Sequence, residues 1–96
     1  MSLDEIKNVL RKYKSVLEDK YHINTLGIFG SYVHNEQAGG SDLDILVDFK
    51  APISLFEFID MEEELSEILG VKVDLVSRNA LKPHIGKHIL NEVQLV

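Results

Sequence analysis

The stretch that decides the interpretation of this chain is Gly30-Ser31-Tyr32-Val33-His34-Asn35, followed further on by Ser41-Asp42-Leu43-Asp44-Ile45-Leu46-Val47. Residues two apart on a strand point to the same face, so Asp42 and Asp44 are expected to project side by side. Two carboxylates about 6 Å apart repel each other by about 3 kcal/mol at an effective dielectric near 20. An otherwise apolar strand that carries this pair therefore indicates a compensating cation.

A third aspartate, Asp74, interrupts the apolar run 71–76. If that run forms a strand beside the first, Asp42, Asp44 and Asp74 could meet at one site. Oxygen ligands favour hard divalent cations, and Mg²⁺ commonly takes one or two carboxylates together with substrate phosphates. Three carboxylates can hold two metal ions and leave an oxygen free to accept a proton from an attacking hydroxyl. Taken singly, Asp42 could be a polar residue at the start of the strand, Asp44 could pair with a lysine or arginine, and Asp74 could be structural.

Gly30 and Ser31 end the apolar run 25–30, which predicts a buried strand followed by a loop. Glycine lets the backbone approach a phosphate closely, and backbone N–H groups with the Ser31 hydroxyl can hold phosphate oxygens. The dipeptide alone is a weak signal, but its spacing from Asp42 and Asp44 is specific. An EF-hand does not fit the same aspartates, because neither its glycine nor its terminal glutamate stands at the required offset.

Local signals outside this stretch predict two long helices. Apolar residues recur at three- and four-residue steps from Leu3 to Tyr21, and Ser2 with Glu5 forms a capping box. Ser54 with Glu57 repeats that box before a helix that reaches Leu69 and is stopped by Gly70.

The remaining segments predict strands at 25–30, 43–49 and 71–76, with Gly39-Gly40 marking a loop between the first two. Asn79 could cap a short helix that Pro83 interrupts, and 85–93 forms a last amphipathic stretch. The order α-β-loop-β-α-β-α predicts an α/β (α+β) fold, a small mixed β-sheet with flanking helices.

Composition limits the class of protein. Ninety-six residues predict one domain, 1–96, and 45% hydrophobic residues argue against disorder. The net charge of −6 opposes nonspecific binding to nucleic acid or to an anionic membrane, so neither is an expected partner. The absence of cysteine excludes a disulfide scaffold and fits a reducing compartment. With an acidic N-terminus and no apolar run of about 18 residues, the sequence predicts a cytoplasmic protein without signal peptide or membrane span.

Together these residues resemble the minimal nucleotidyltransferases of the DNA polymerase β-like superfamily. The signature of that family is Gly-Ser, a spacer, Asp-x-Asp and a third aspartate on a later strand, and the resemblance covers nearly the whole chain. It implies that Gly30, Ser31 and Ser41 bind the nucleotide. It further implies that Asp42, Asp44 and Asp74 are the catalytic residues and bind Mg²⁺, as two ions, with Asp74 as the base.

The chain departs from the family pattern at one position. Many members read Gly-Ser-x-Ala-Arg-Gly, whereas His34 stands where the arginine is common. A histidine there can still donate a hydrogen bond, and near pH 6.5 it carries partial charge.

The resemblance also implies a function. Minimal nucleotidyltransferases are similar to the antitoxin half of toxin–antitoxin pairs whose partner is a helical HEPN ribonuclease. The expected reaction is transfer of AMP from ATP to a tyrosine hydroxyl of the toxin, with release of pyrophosphate. Two alternatives stay open: a binding antitoxin without catalysis, whose acidic helix face 57–67 covers a basic surface, and nucleotidyl transfer to a small-molecule hydroxyl. That acidic face is also compatible with simple solvation.

Overall fold

The computed structural model describes residues 1–37 and 41–96, and this part of the chain forms three α-helices around a four-stranded mixed sheet. The predicted α/β (α+β) class is confirmed. The elements follow one another as α1 (Leu3–Tyr21), β1 (Ile23–Phe29), β2 (Leu43–Phe49), α2 (Leu55–Leu69), β3 (Val73–Ser77), α3 (Pro83–Glu92) and β4 (Gln94–Leu95), with 3₁₀ turns at Gly30–Tyr32 and Arg78–Ala80.

Both predicted capping boxes are present. The hydroxyl oxygen of Ser2 accepts the Glu5 N–H at 3.2 Å, and that of Ser54 accepts the Glu57 N–H at 3.1 Å. Gly70 ends α2 with φ +68°, a conformation that glycine adopts without a steric penalty. The start of each long helix, and the end of α2, are therefore specified by local sequence.

The strand order β3-β2-β1-β4 places β2 between β1 and β3. β2 runs antiparallel to β1 and parallel to β3, with Asp44 directly opposite Asp74. The adjacency on which the aspartate site depends is thereby confirmed.

One face of the sheet packs against α1 and α2 and forms the core. The fully buried side chains alternate along the strands, as expected for a sheet with one covered face. They include Leu26, Ile28, Leu43, Ile45 and Val47 from the sheet, Ile6, Leu10 and Leu17 from α1, and Met61 and Leu65 from α2. Asp44 and Asp74 belong to the opposite set of positions, and therefore point to the other face of the sheet.

The C-terminal segment crosses this second face. A Cβ at Gly27 would lie 2.6 Å from Cγ2 of Val93, so this glycine in mid-strand lets the residues after α3 pack directly on β1. β4 then pairs antiparallel with β1. The consequence is that the end of α3 comes close to the 3₁₀ turn that follows β1.

Several element bounds differ from the sequence prediction. β1 begins at Ile23 and ends before Gly30, which starts a 3₁₀ turn with φ +79°. Pro83 does not interrupt a helix but begins α3, since proline fits the first helical position, where its missing N–H costs nothing. β3 is shifted to 73–77, and β4 was not predicted. The predicted Gly39-Gly40 loop lies outside the described residues.

Within residues 1–37 and 41–96, no helix combines the length and apolarity needed to cross a membrane.

Candidate functional site

Two aspartates sit side by side on parallel strands. Asp44 is the second residue of β2, Asp74 the second residue of β3, and their Cα atoms are register partners. Asp44 is partly buried whereas Asp74 is exposed. Burial raises the pKa of the Asp44 carboxyl above its ordinary value, and the nearby carboxylates of Asp74, Asp42 and Glu92 raise it further. The site is therefore a small acidic cluster in which one member is poorly solvated.

Asp42 lies just before β2 and faces a lysine. The Nζ of Lys72 is 3.9 Å from Oδ2 of Asp42, with side chains 81% and 41% exposed. An ion pair so open to solvent is weak, and it leaves Asp42 free to turn toward its neighbours. The alternative interpretation gave a lysine or arginine partner to Asp44, whereas the lysine lies beside Asp42 instead.

The predicted metal ligands, Asp42, Asp44 and Asp74, are not arranged as a complete metal-binding site. In the part of the chain that the structure describes, no group of three or more His, Asp and Glu side chains is arranged to hold a metal ion. The donor chemistry nevertheless fits Mg²⁺, which takes few protein carboxylates and fills its other positions with water and substrate phosphates. Asp44 and Asp74 supply two adjacent carboxylates, and Asp42 exerts its charge on the same group. Metal binding stays a prediction.

The turn after β1 lies directly over Asp44. Gly30 has φ +79°, and a Cβ at this position would overlap the carboxylate of Asp44. The positive φ and the closeness of the Asp44 carboxylate both favour glycine at this position, and phosphate binding by the turn stays a prediction. Ser31 and Tyr32 complete the turn, and Ser41 lies half-buried immediately before Asp42. The predicted nucleotide-binding residues are thus placed around the aspartates.

Glu92 is a neighbour that the sequence interpretation missed. Its Oε1 accepts the Gly30 N–H at 3.2 Å and its Oε2 lies 2.5 Å from Nε2 of His34. Because a carboxylate only accepts, Nε2 of His34 carries the hydrogen. His34 therefore does donate a hydrogen bond, as predicted, but to an acidic residue on α3. No spacing in the sequence signals this contact, since Glu92 is 62 residues from Gly30.

Comparison with known proteins identifies related chains over almost the whole length. Residues 10–96 match the family model described as nucleotidyltransferase domain. The protein adenylyltransferase MntA of Thermococcus cleftensis is 44% identical over 96 residues, which cover 100% of this chain and 97% of that protein.

Two solved structures show the same fold. A protein provisionally described as a minimal nucleotidyltransferase superimposes with a TM-score of 0.83 at 29% identity, covering 98% of this chain and 95% of that one. An MNT antitoxin in complex with a tri-AMPylated HEPN toxin, from Shewanella oneidensis, gives a TM-score of 0.69 at 19% identity, with 94% and 70% covered. At that identity the second likeness establishes the fold alone.

Proposed function

The chain belongs to the nucleotidyltransferase domain family, and we propose that it transfers AMP from ATP to a hydroxyl group of a partner protein. The observation that carries the proposal is the pairing of Asp44 with Asp74 beneath the Gly30-Ser31 turn. The MntA relative, named a protein adenylyltransferase, supports a protein as the acceptor. The fold shared with an MNT antitoxin makes a HEPN toxin the first partner to test, with a tyrosine as the accepting residue.

The reaction is a displacement at the α-phosphorus of ATP. The acceptor oxygen forms a bond to this phosphorus while the bond to the β-phosphate oxygen breaks, and pyrophosphate leaves. The proton of the acceptor hydroxyl passes to a carboxylate, for which Asp74 is the best placed because it is exposed at the surface of the site. Asp44, beneath the turn, is better placed to hold the nucleotide end of the site.

Mg²⁺ bound by Asp42, Asp44 and Asp74 would neutralise charge on the triphosphate. The chain itself supplies positioning: Gly30 sets the conformation of the turn, Ser31 offers a hydroxyl to a phosphate oxygen, and Ser41 precedes the first aspartate. Burial, and after it repulsion from the neighbouring carboxylates, raises the pKa of Asp44, and a bound cation would relieve the repulsion.

Radiolabelled ATP tests this function. The protein is incubated with α-³²P-labelled ATP, Mg²⁺ and a HEPN protein from the same genome, and label on the partner is measured. We expect transfer by wild type and a loss of at least about 100-fold in the double variant Asp42→Asn/Asp44→Asn. Asp48→Asn is the matched control on the same strand, since Asp48 is engaged with Asn24 and Arg78 instead. An unlabelled partner with wild type would overturn the proposal.

A second candidate function is neutralisation of the partner by binding alone, and the surface of α2 favours it. At the start of this helix Leu55 is 70% exposed and Phe56 is 80% exposed, and Ile59 follows one turn on. Exposed acidic side chains continue the same face: Glu57, Asp60, Glu63 and Glu67. No residue of α2 is basic. We call this apolar and acidic surface the α2 face.

The aspartate variants separate the two candidates. If Asp42→Asn/Asp44→Asn binds the partner and still neutralises it, binding alone is the function. If the variant binds the partner without neutralising it, AMP transfer is required.

A further inference from the structure

We propose that Glu92 is a positioning residue that clamps the Gly30-Ser31 turn over the aspartate site. The inference rests on the proposed function for its catalytic consequence. The clamp itself is a feature of the unliganded chain, so it can be tested without nucleotide.

The clamp uses both oxygens of one carboxylate. Oε1 of Glu92 accepts the backbone N–H of Gly30 at 3.2 Å, and Oε2 accepts from Nε2 of His34 at 2.5 Å. The Glu92 side chain is 15% exposed and the His34 side chain 49%, so the bond to the Gly30 N–H is the better shielded from solvent of the two. Hydrogen bonds to a charged carboxylate are about twice as strong as neutral ones. The last residue of α3 thus holds the two ends of the segment 30–34.

This segment is the part of the site whose position matters most. Gly30 lies so close to Asp44 that a Cβ would overlap its carboxylate. A shift of the turn therefore changes the separation between Ser31 and the aspartates directly. The Gly30 N–H is donated to Glu92. Of the Gly30 N–H and the Ser31 hydroxyl, the hydroxyl is therefore the group that can bind a phosphate oxygen. Gly30 then contributes the shape of the turn.

The charges explain why the clamp has two partners. Glu92 adds a further carboxylate near Asp44 and by itself would repel a triphosphate. The hydrogen bond to His34 offsets that charge and lowers the pKa of the Glu92 carboxyl below its ordinary value. His34 thus allows an acidic residue to hold the turn beside an anionic substrate.

Three variants test the clamp. Glu92→Ala removes both hydrogen bonds, Glu92→Gln keeps an oxygen that can accept the Gly30 N–H, and Glu18→Ala is a control on α1, where Glu18 pairs with Lys14 at 3.9 Å. The first measurement is hydrogen exchange of the Gly30 amide in the protein without nucleotide. The second is kcat and KM for ATP in AMP transfer, at a temperature where all variants are folded. The third is the affinity for AMP-PNP with Mg²⁺.

We expect Glu92→Ala to accelerate Gly30 exchange at least about 10-fold and to lower kcat/KM by about 100-fold, with part of the loss in kcat because the reacting groups are misplaced. Glu92→Gln should recover most of the protection of the Gly30 amide and most of kcat/KM. Glu18→Ala should match wild type in both measurements. Unchanged Gly30 exchange in Glu92→Ala overturns the clamp. Faster exchange with wild-type kcat/KM reduces Glu92 to a purely structural role and overturns the positioning.

An inactive wild type would count against the proposed function and not by itself against the clamp. In that case Gly30 exchange and AMP-PNP affinity decide the clamp. Unchanged exchange in Glu92→Ala overturns the clamp, a wild-type affinity overturns the positioning, and an affinity weakened at least about 10-fold together with faster exchange supports both.

Discussion

The surroundings of Asp44 disfavour the ionised form of its carboxyl group. Burial and the neighbouring carboxylates raise its pKa, so ionisation costs the folded protein free energy that the unfolded chain does not lose. We predict that Asp44→Asn stabilises the protein in the absence of divalent cations at pH 7. Because solvent screens the half-buried Asp44 carboxylate, the gain should not exceed about 1 kcal/mol, which would raise Tm by about 4–8 °C at most in a domain of this size. Thermal unfolding in EDTA measures it.

Magnesium provides the complementary measurement. Mg²⁺ should raise the Tm of wild type and should raise that of Asp44→Asn much less. The control Asp48→Asn removes a carboxylate that accepts from Asn24 and lies 3.7 Å from Arg78, so it should gain no stability. A lower Tm for Asp44→Asn than for wild type in EDTA would contradict the account of the site.

The His34–Glu92 pair makes stability depend on pH. Its hydrogen bond raises the pKa of His34 above 6.5 and lowers that of Glu92 below 4.5, with Glu36 and His88 adding smaller effects of the same sign. The raised pKa of His34 stabilises the folded protein fully below about pH 6.5. This stabilisation is lost as the pH rises through the pKa of His34 in the folded state. The lowered pKa of Glu92 stabilises the folded protein above about pH 4.5. This stabilisation is lost as the pH falls through the pKa of Glu92 in the folded state. The contribution of the pair is therefore greatest between these two values.

We predict that His34→Gln destabilises the protein more at pH 5.5 than at pH 8.5, as measured by urea unfolding. His34→Arg keeps its charge at both values, so its stability relative to wild type should rise between pH 5.5 and pH 8.5. An equal loss for His34→Gln at both pH values would show that the pair does not titrate as described.

At the scale of elements, β3 is an edge strand whose outer N–H groups are covered by α2. Oε2 of Glu62 accepts the Leu75 N–H at 2.8 Å and the hydroxyl of Ser66 accepts the Val73 N–H at 3.0 Å. Open strand edges otherwise pair with other chains. Since Asp74 lies between Val73 and Leu75, the same two side chains also hold the third aspartate in register.

We predict that Glu62→Ala costs about 1 kcal/mol of unfolding free energy and that Glu62→Ala/Ser66→Ala costs more and promotes self-association through β3. Urea unfolding and light scattering measure the two effects. Glu62→Gln retains an accepting oxygen and serves as the control, with a smaller loss. A double variant as stable and monodisperse as wild type would show that the edge does not depend on these bonds.

The elements that could be predicted are those with local signals. α1 and α2 have capping boxes and apolar periodicity, and the three longer strands have apolar runs bounded by glycine or polar residues. α3 was misjudged because Pro83 ends a helix or begins one depending on what precedes it. β4 has two residues, and its pairing depends on Gly27 leaving room for the C-terminal segment. Such an element has no local pattern to reveal it.

At the scale of the molecule, the site joins parts of the chain that are far apart in sequence. The placement of Asp74 beside Asp44 could be predicted because both interrupt apolar strands, although the strand order itself came from the structure. The role of Glu92 could not be predicted, because an acidic residue at the end of an amphipathic stretch is typical of a solvated position. Its role depends on α3 crossing the sheet face that carries the aspartates, a feature of tertiary packing.

The α2 face exposes three large apolar side chains, Leu55, Phe56 and Ile59, that the aspartate site does not use. It adjoins a groove of about 560 Å³ between the segment 49–55 and the end of β3. The groove lies at the ends of β2 and β3 opposite to those that carry Asp44 and Asp74. The apolar side chains at the start of α2 and the acidic ones beyond them match a partner surface with an apolar centre and a basic rim.

Phe56 is the side chain of this face on which docking should depend most, because it is 80% exposed and aromatic residues dominate binding energy at interfaces. If the partner is the proposed HEPN protein, we predict that Phe56→Ser weakens the complex with it at least about 10-fold, measured by calorimetry, and that added salt weakens the wild-type complex. Val16→Ser is the matched control, since Val16 is 57% exposed on α1. Because Phe56 lies at the start of α2, at the ends of β2 and β3 opposite to those that carry Asp44 and Asp74, Phe56→Ser should leave ATP affinity unchanged. Equal partner affinities for both variants would exclude the α2 face as the docking site, while leaving AMP transfer to be decided by the aspartate variants.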